Sequence, residues 1–266
     1  MQAVVFYSTA DSAGVNVAKV LKEHHGFRLK GHVDVGESQL PVWVSGGTQL
    51  VELQNPLIDE SDFLKDFFKS DLFVFASKHR SESGKPCYTV HAPGNWGENT
   101  EFGGNAKELQ LTSAKAQHTL LRLLKGQRMD VFREATHHGP TSLKTPSVFV
   151  EVGSTDREWN NWLLAEPVAN AIVEACKTWQ NETAKAAIGF GGTHYCSAFA
   201  ELPYAFSHVA SKHALGSVDA AMVKQAVEKT VEPVEKAFID WKGCNKEQRD
   251  KIIAALEENE LSWERA

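Results

Sequence analysis

A chain of 266 residues, 42% hydrophobic and 23% charged, has the make-up of an ordinary soluble globule with room for a substantial core. Its net charge of −6 argues against a partner held by bulk positive charge, such as nonspecific DNA, but allows a nucleic acid gripped through a local basic patch. No stretch approaches the roughly 18 apolar residues of a membrane span, the N-terminus reads as a strand rather than a signal peptide, and Cys87, Cys176, Cys196 and Cys244 are scattered without CxxC spacing. These features predict a cytoplasmic protein with no membrane partner, no disulfide framework and no cysteine-based zinc knuckle.

Taken in order, residues 4–8 predict a strand and the segment after Asp11 a helix with Val17, Val20 and Leu21 on one face, stopped by Gly26. A strand is expected over 27–33, then a hairpin over 41–53 turning at Gly46-Gly47, which makes the sheet mixed. Residues 59–69 predict an amphipathic helix with Phe63, Leu64, Phe67 and Phe68 inward. A buried strand over 71–77 opens into a polar loop over 78–86, and a short strand over 88–91 leads into a long polar connection containing Gly103-Gly104. A helix over 113–126 precedes strands over 129–133 and 147–152. Helical pieces follow from Asp156 and from Pro167, then a strand over 185–188, a helix capped by Ser217, a last strand over 234–241, and a final helix with an Asn245/Gln248 capping box. The alternation predicts an α/β fold, three layers α/β/α around a mixed sheet, with residues 1–266 as a single domain.

Polar chemistry gathers where apolar strands stop. Four segments stand out: 78–86, 134–141, 151–155 and 189–195. If the strands are neighbours, His79, Glu134, His137, His138, Glu151 and His194 meet in one cleft, where open α/β sheets bind ligands. Adjacent histidines on a continuing strand point to opposite faces, so only one of His137 and His138 would then reach it. Imidazole and carboxylate together suit zinc, which activates water and polarises a carbonyl, or metal-free acid–base work. Gly191, Gly192 and Thr193 form a turn open to a phosphate or ribose, and Lys78, Arg80 and Lys85 form a basic loop able to hold a phosphate backbone. Trp96 reads as a core or lid aromatic. His91 reads as a packed or loop histidine, and His24, His25, His118, His208 and His213 as structural. P-loop and GxSxG patterns are absent.

Several of these pieces carry a resemblance: Lys78-His79-Arg80-Ser81 with Gly84-Lys85-Pro86, His91-Ala92-Pro93-Gly94-Asn95, Glu134-Ala135-Thr136-His137-His138-Gly139-Pro140-Thr141, Glu151 to Thr155 with Glu158-Trp159, and Gly189-Phe190-Gly191-Gly192-Thr193-His194-Tyr195. In order and spacing the chain resembles the archaeal and plant type of D-aminoacyl-tRNA deacylase. The resemblance implies a phosphorylase/hydrolase-like core and a monomeric enzyme with one or two Zn2+ ions per chain. The implied reaction is hydrolysis of the ester joining a D-amino acid to the terminal ribose of tRNA, bound by its acceptor end. On that reading Glu134, His137 and His138 are catalytic, His79, Glu151 and His194 are metal ligands, and Lys78, Arg80, Lys85, Gly191, Gly192 and Thr193 bind substrate. Two rivals share the residues: a zinc aminopeptidase or amidohydrolase acting on small molecules, and a noncatalytic tRNA-binding protein.

Overall fold

Strand side chains alternate between the two sheet faces, so strands apolar at every position need cover on both sides. The computed structural model, which describes residues 2–36, 38–60 and 64–266, meets that need. In chain order it comprises β1 (Ala3–Ser8), α1 (Ser12–His24), β2 (Arg28–Val35), β3 (Ser38–Ser45), β4 (Thr48–Leu53), α2 (Leu57–Glu60), α3 (Leu64–Phe67), β5 (Leu72–Arg80), β6 (Cys87–His91), β7 (Gly94–Asn95), β8 (Glu108–Leu109), α4 (Ala114–Leu124), β9 (Asp130–Arg133), β10 (Ser147–Ser154), α5 (Asp156–Trp159), α6 (Trp162–Thr178), β11 (Lys185–Phe190), β12 (Tyr204–Ala210), α7 (Ala220–Glu228), β13 (Val234–Ile239), α8 (Lys246–Glu258) and β14 (Trp263–Arg265). No helix among the described residues is long and apolar enough to cross a membrane.

Eight strands form a mixed sheet ordered β2-β3-β4-β1-β5-β10-β6-β9. β4, β1, β5 and β10 run parallel, β6 runs antiparallel to β10, and β2, β3 and β4 form an antiparallel meander. One face packs under α1, α4 and α6, where Val74, Val150 and Tyr88 meet Leu21, Leu120 and Ile172. The other face carries an aromatic row: Phe6 lies 5.0 Å from Phe73, and Phe75 lies 4.8 Å from Phe149. Leu57, Leu64 and Phe68 close over it. Each such buried ring contributes about 1.5–3 kcal/mol. The expected layering is therefore present.

A second sheet, ordered β12-β11-β13-β14 and wholly parallel, stands beside the first. Its outer face packs on α7 and α8 through Ile188, Phe190, Val223 and Leu256. The two sheets are stitched together by α4 and by the chain leaving β9. Gln117 Nε2 donates to the Ser207 carbonyl at 3.0 Å, Arg133 Nη1 to the Phe206 carbonyl at 2.7 Å, and the Ala135 amide to the His194 carbonyl at 2.8 Å. That last bond sets Glu134 beside His194.

Several elements depart from the sequence expectations. β12 and β14 are additional strands. β5 continues through Lys78, His79 and Arg80 because β10 continues beside it, pairing Val152, Gly153 and Ser154 with those residues. The helix expected over 59–69 is present as α2 and α3. Of its expected stripe, Leu64 and Phe68 are buried as expected, with the Phe68 ring 5.4 Å from Phe6, Phe67 is exposed, and Phe63 lies outside the described residues. α6 starts at Trp162, capped by the Asn161 side chain, so Pro167 lies inside it rather than at its start. Asp219, not Ser217, caps α7 by accepting from the Met222 amide at 2.9 Å. The strand expected to reach Trp241 stops at Ile239.

Candidate active site

The site grows out of the aromatic face of β5, β10 and β6. Along that face Phe73 and Phe75 give way to Ser77 and His79, Phe149 gives way to Glu151, and β6 contributes Thr89 and His91. Register fixes the meeting: Glu151 lies opposite Ser77 on one side and Thr89 on the other. Ser77 Oγ donates to Glu151 Oε1 at 2.6 Å and Thr89 Oγ1 to Oε2 at 3.1 Å. All of these side chains are buried. An unpaired carboxylate there would cost several kcal/mol, and the two hydroxyls with the flanking imidazoles offset that.

His79 joins two carboxylates. Its Nδ1 lies 3.1 Å from Glu134 Oε1 and 3.6 Å from Glu151 Oε2, and its Nε2 lies 3.0 Å from the Tyr195 hydroxyl. Burial alone would lower the His79 pKa, but the bonds to Glu134 and Glu151 outweigh it and push it up to about 12. Burial likewise opposes charge on Glu134, yet His194 Nε2, 2.5 Å from Oε1, together with His79 holds it well below the usual carboxylate range. Glu151 is lowered in the same way by His79 and His91 against burial. Glu134 Oε2 is buried with no hydrogen-bond partner among the described residues.

A second group is made of imidazoles. The backbone takes a left-handed turn at His138, with φ 48°. Both His137 and His138 therefore line the cleft, with ring centroids 4.4 Å apart, instead of pointing to opposite faces. His91 completes the group, 4.3 Å from His137 and 4.9 Å from His138, and stacks on Phe149 at 5.1 Å. In each ring Nδ1 faces a carbonyl oxygen: Ala92 for His91, Ala135 for His137, Gly139 for His138. An Nδ1 facing a carbonyl must donate, which leaves the lone pair of a neutral ring on Nε2. Burial first, and then neighbouring imidazoles, push His137 well down and His138 to about 4, so both are neutral at physiological pH. Burial opposes charge on His91, but the Glu151 carboxylate raises its pKa on balance. At 3.8 Å that contact is too long for a hydrogen bond, and His91 Nε2 has no hydrogen-bond partner among the described residues.

These donors fit a metal. The groups His91/His137/His138, Glu134/His137/His194 and His79/Glu134/Glu151 each place their ligand atoms within 4.8 Å of one another. Backbone-anchored imidazoles presenting Nε2, together with an orphaned carboxylate oxygen, make the nitrogen–oxygen set that zinc takes. His79 fits least, because both of its nitrogens are already engaged.

The cleft above these groups has a volume of about 650 Å3 and is also lined by Asp11, Ile58, Phe102, Lys78 and Arg80. The D-aminoacyl-tRNA deacylase family profile matches residues 66–264. A D-aminoacyl-tRNA deacylase of Methanocaldococcus jannaschii is 37% identical over 219 residues, covering 76% of this chain and 84% of its own. One of Thermococcus kodakarensis is 32% identical over 274 residues, covering 98% of each. The chain belongs to the D-aminoacyl-tRNA deacylase family. Membership makes it a hydrolase and bears out the resemblance read from the motifs. A crystal structure of a conserved protein of unknown function superposes with TM-score 0.86 at 28% identity, covering 99% of this chain and 95% of that one. The same α/β architecture thus recurs in an experimental structure.

Within this deacylase-family cleft, Glu134, His137, His138, His79, Glu151 and His194 all converge as the four segments suggested. The basic and glycine-rich segments distribute differently. On the extended β5, Lys78 and Arg80 alternate with His79 and turn toward Trp159, with their charges 5.5 Å and 5.4 Å from its ring. They border the cleft and make no ion pair among the described residues. Lys85 is outside the cleft, paired with Asp130 at 2.9 Å over the Phe132 ring. Gly191, Gly192 and Thr193 also stand outside it. The Gly191 amide is bound to the Ala210 carbonyl at 2.8 Å, and a Cβ on Gly191 would meet Cys244 Sγ at 2.4 Å, so this turn serves close packing. Trp96 is a core residue packed 6.0 Å from Phe190. His91, Ser77, Thr89 and Tyr195 are site residues beyond those singled out from sequence. The period-two spacing of Ser77 with His79 on β5, and of Thr89 with His91 on β6, was the signal available for the first three.

Proposed function

We propose that the chain hydrolyses the ester joining a D-amino acid to the 3′-terminal ribose of tRNA, releasing both, with zinc held at the histidine-rich end of the cleft. What carries the reading is the buried Glu134 carboxylate, with one oxygen held by two imidazoles and the other free, beside three histidines presenting Nε2. His91, His137 and His138 would hold the ion, since the other carboxylate-rich group relies on His79, whose two nitrogens are already engaged. Bound zinc would supply an electrophile for the ester carbonyl and a water of lowered pKa.

The chain's own residues do the rest. Glu134 Oε2 accepts the proton of the attacking water, and His79 and His194 fix that carboxylate through Oε1. Half-exposed His194 connects it to the solvent side, where the ribose leaves. Glu151, fastened by Ser77 and Thr89, keeps His79 in place. Lys78 and Arg80 at the rim, with no ion pair among the described residues, meet acceptor-end phosphates, which reconciles an acidic chain with an RNA substrate. The enzyme acts as a cytoplasmic monomer. Four buried free cysteines agree with a reducing compartment.

The test is hydrolysis of D-tyrosyl-tRNA against L-tyrosyl-tRNA by purified protein, before and after chelation and zinc add-back. D-selective hydrolysis abolished by chelation and restored by zinc is expected. D-selective hydrolysis indifferent to chelation would overturn the metal. No hydrolysis by folded, zinc-loaded protein would overturn the deacylase.

A further inference from the structure

At the mouth of the cleft Phe102 is 56% exposed, among the most exposed large apolar side chains described. A single exposed phenylalanine on a loop is common. This one differs because its backbone is pinned while its ring is free. Its carbonyl accepts from the Gly139 amide at 3.1 Å, one bond from the segment carrying His138. The Asn95 side-chain amide donates to the Gly103 carbonyl at 2.8 Å and the Asn105 carbonyl at 3.1 Å. Gly103, at φ 79°, lies so close to α2 that a Cβ there would sit 2.1 Å from the Ile58 carbonyl oxygen. The loop is thus built against two walls, and the ring it presents lines the same cleft as His137 and His138. Phe102 has no aromatic partner among the described residues, whereas each site histidine has at least one ring neighbour.

We infer that Phe102 is a stacking platform for the 3′-terminal base of the substrate tRNA; this rests on the proposed deacylase reading. If the ester carbonyl lies over Glu134 and His137, the terminal ribose lies just above, and its base must leave through the mouth. A flat apolar ring held there complements a base π-face, while Lys78 and Arg80 border the same cleft and are open to the adjoining phosphate. Stacking on an aromatic side chain suits a substrate whose terminal base is constant and whose amino acid varies.

The test compares wild type, Phe102→Ala and Phe102→Tyr for kcat and KM on D-tyrosyl-tRNA, and for binding of the trinucleotide CCA. Phe102→Ala is expected to raise KM and the CCA dissociation constant about 5- to 150-fold, with kcat within about twofold. Phe102→Tyr should restore both, which a merely structural role would not predict. Unchanged KM and CCA affinity in Phe102→Ala would overturn the inference, as would a fall in kcat alone, which would place the ring against the acyl group. Failure of the wild type to hydrolyse the ester would instead overturn the deacylase reading, and CCA affinity would still decide whether Phe102 stacks a base.

Discussion

The two faces of β5, β10 and β6 are made by the same residues in alternation, yet they do opposite things. Toward α1, α4 and α6 the strands present Leu72, Val74, Ala76, Val148, Val150, Val152, Tyr88 and Val90, all buried in one apolar cluster. Toward the cleft the aromatic start breaks off into Ser77, His79, Glu151, Thr89 and His91. One face holds the sheet in register. The other uses that register to bring together charges that would be too costly to bury singly. A rigid apolar face is what lets a polar face keep near-fixed geometry, as a hydrolytic site requires.

Substitutions on the two faces should therefore separate activity from stability. The largest effect is expected on the polar side. His137→Ala removes an imidazole shared by two of the three donor groups. It should lower kcat/KM on the order of a thousandfold or more and reduce bound zinc, measured by elemental analysis, while leaving the melting temperature of the metal-free protein within a few degrees. On the apolar side, Leu72→Ala should cost about 2–5 kcal/mol in urea unfolding, with the activity of the folded fraction unchanged. Equal losses of activity and stability in both variants would dissolve the distinction.

Part of this arrangement is legible in the sequence. The mixed sheet, the hairpin at Gly46-Gly47, the Asn245/Gln248 capping box and the convergence of His79, Glu134, Glu151 and His194 are visible in local pattern, since each segment signals its own strand end or cap. What is not local was harder to see. His91 joins the site only because β6 inserts antiparallel between β10 and β9, a pairing order that departs from chain order. Lys78 and Arg80 leave the catalytic floor because β5 continues past Ser77, driven by the partner strand and not by its own polar sequence. His138 joins His137 in the cleft through a left-handed backbone that no side-chain pattern announces. The glycine-rich turn looked like a cradle, yet its amide and its missing Cβ answer to Ala210 and Cys244.

A smaller effect sharpens the contrast with the second sheet. His208 is fully buried on β12, and burial pushes its pKa down to about 4, only partly opposed by the Lys229 carbonyl. The unfolded chain takes up a proton near pH 6.5, whereas the folded chain resists it. Stability from this group is full above about pH 6.5 and is lost as pH falls toward 4. Between pH 7 and 5 metal-free wild type should lose about 1–2 kcal/mol more than His208→Asn, measured by urea unfolding at each pH. The smallest effect is expected at the rim. Arg80→Ala should raise KM for D-aminoacyl-tRNA a few-fold, leave kcat alone and flatten the salt dependence by about one ion.

In the proposed function the polar face is a hydrolytic centre built on Glu134. The most direct test is turnover of D-tyrosyl-tRNA by Glu134→Gln, with zinc content and melting temperature read on the same sample. The variant keeps the side chain's shape and an oxygen for His79 or His194 but cannot accept the water's proton at neutral pH. A loss of at least about 100-fold with zinc and melting temperature near wild type is predicted. Near-normal turnover by that folded, metallated variant would contradict a proton-accepting role for Glu134.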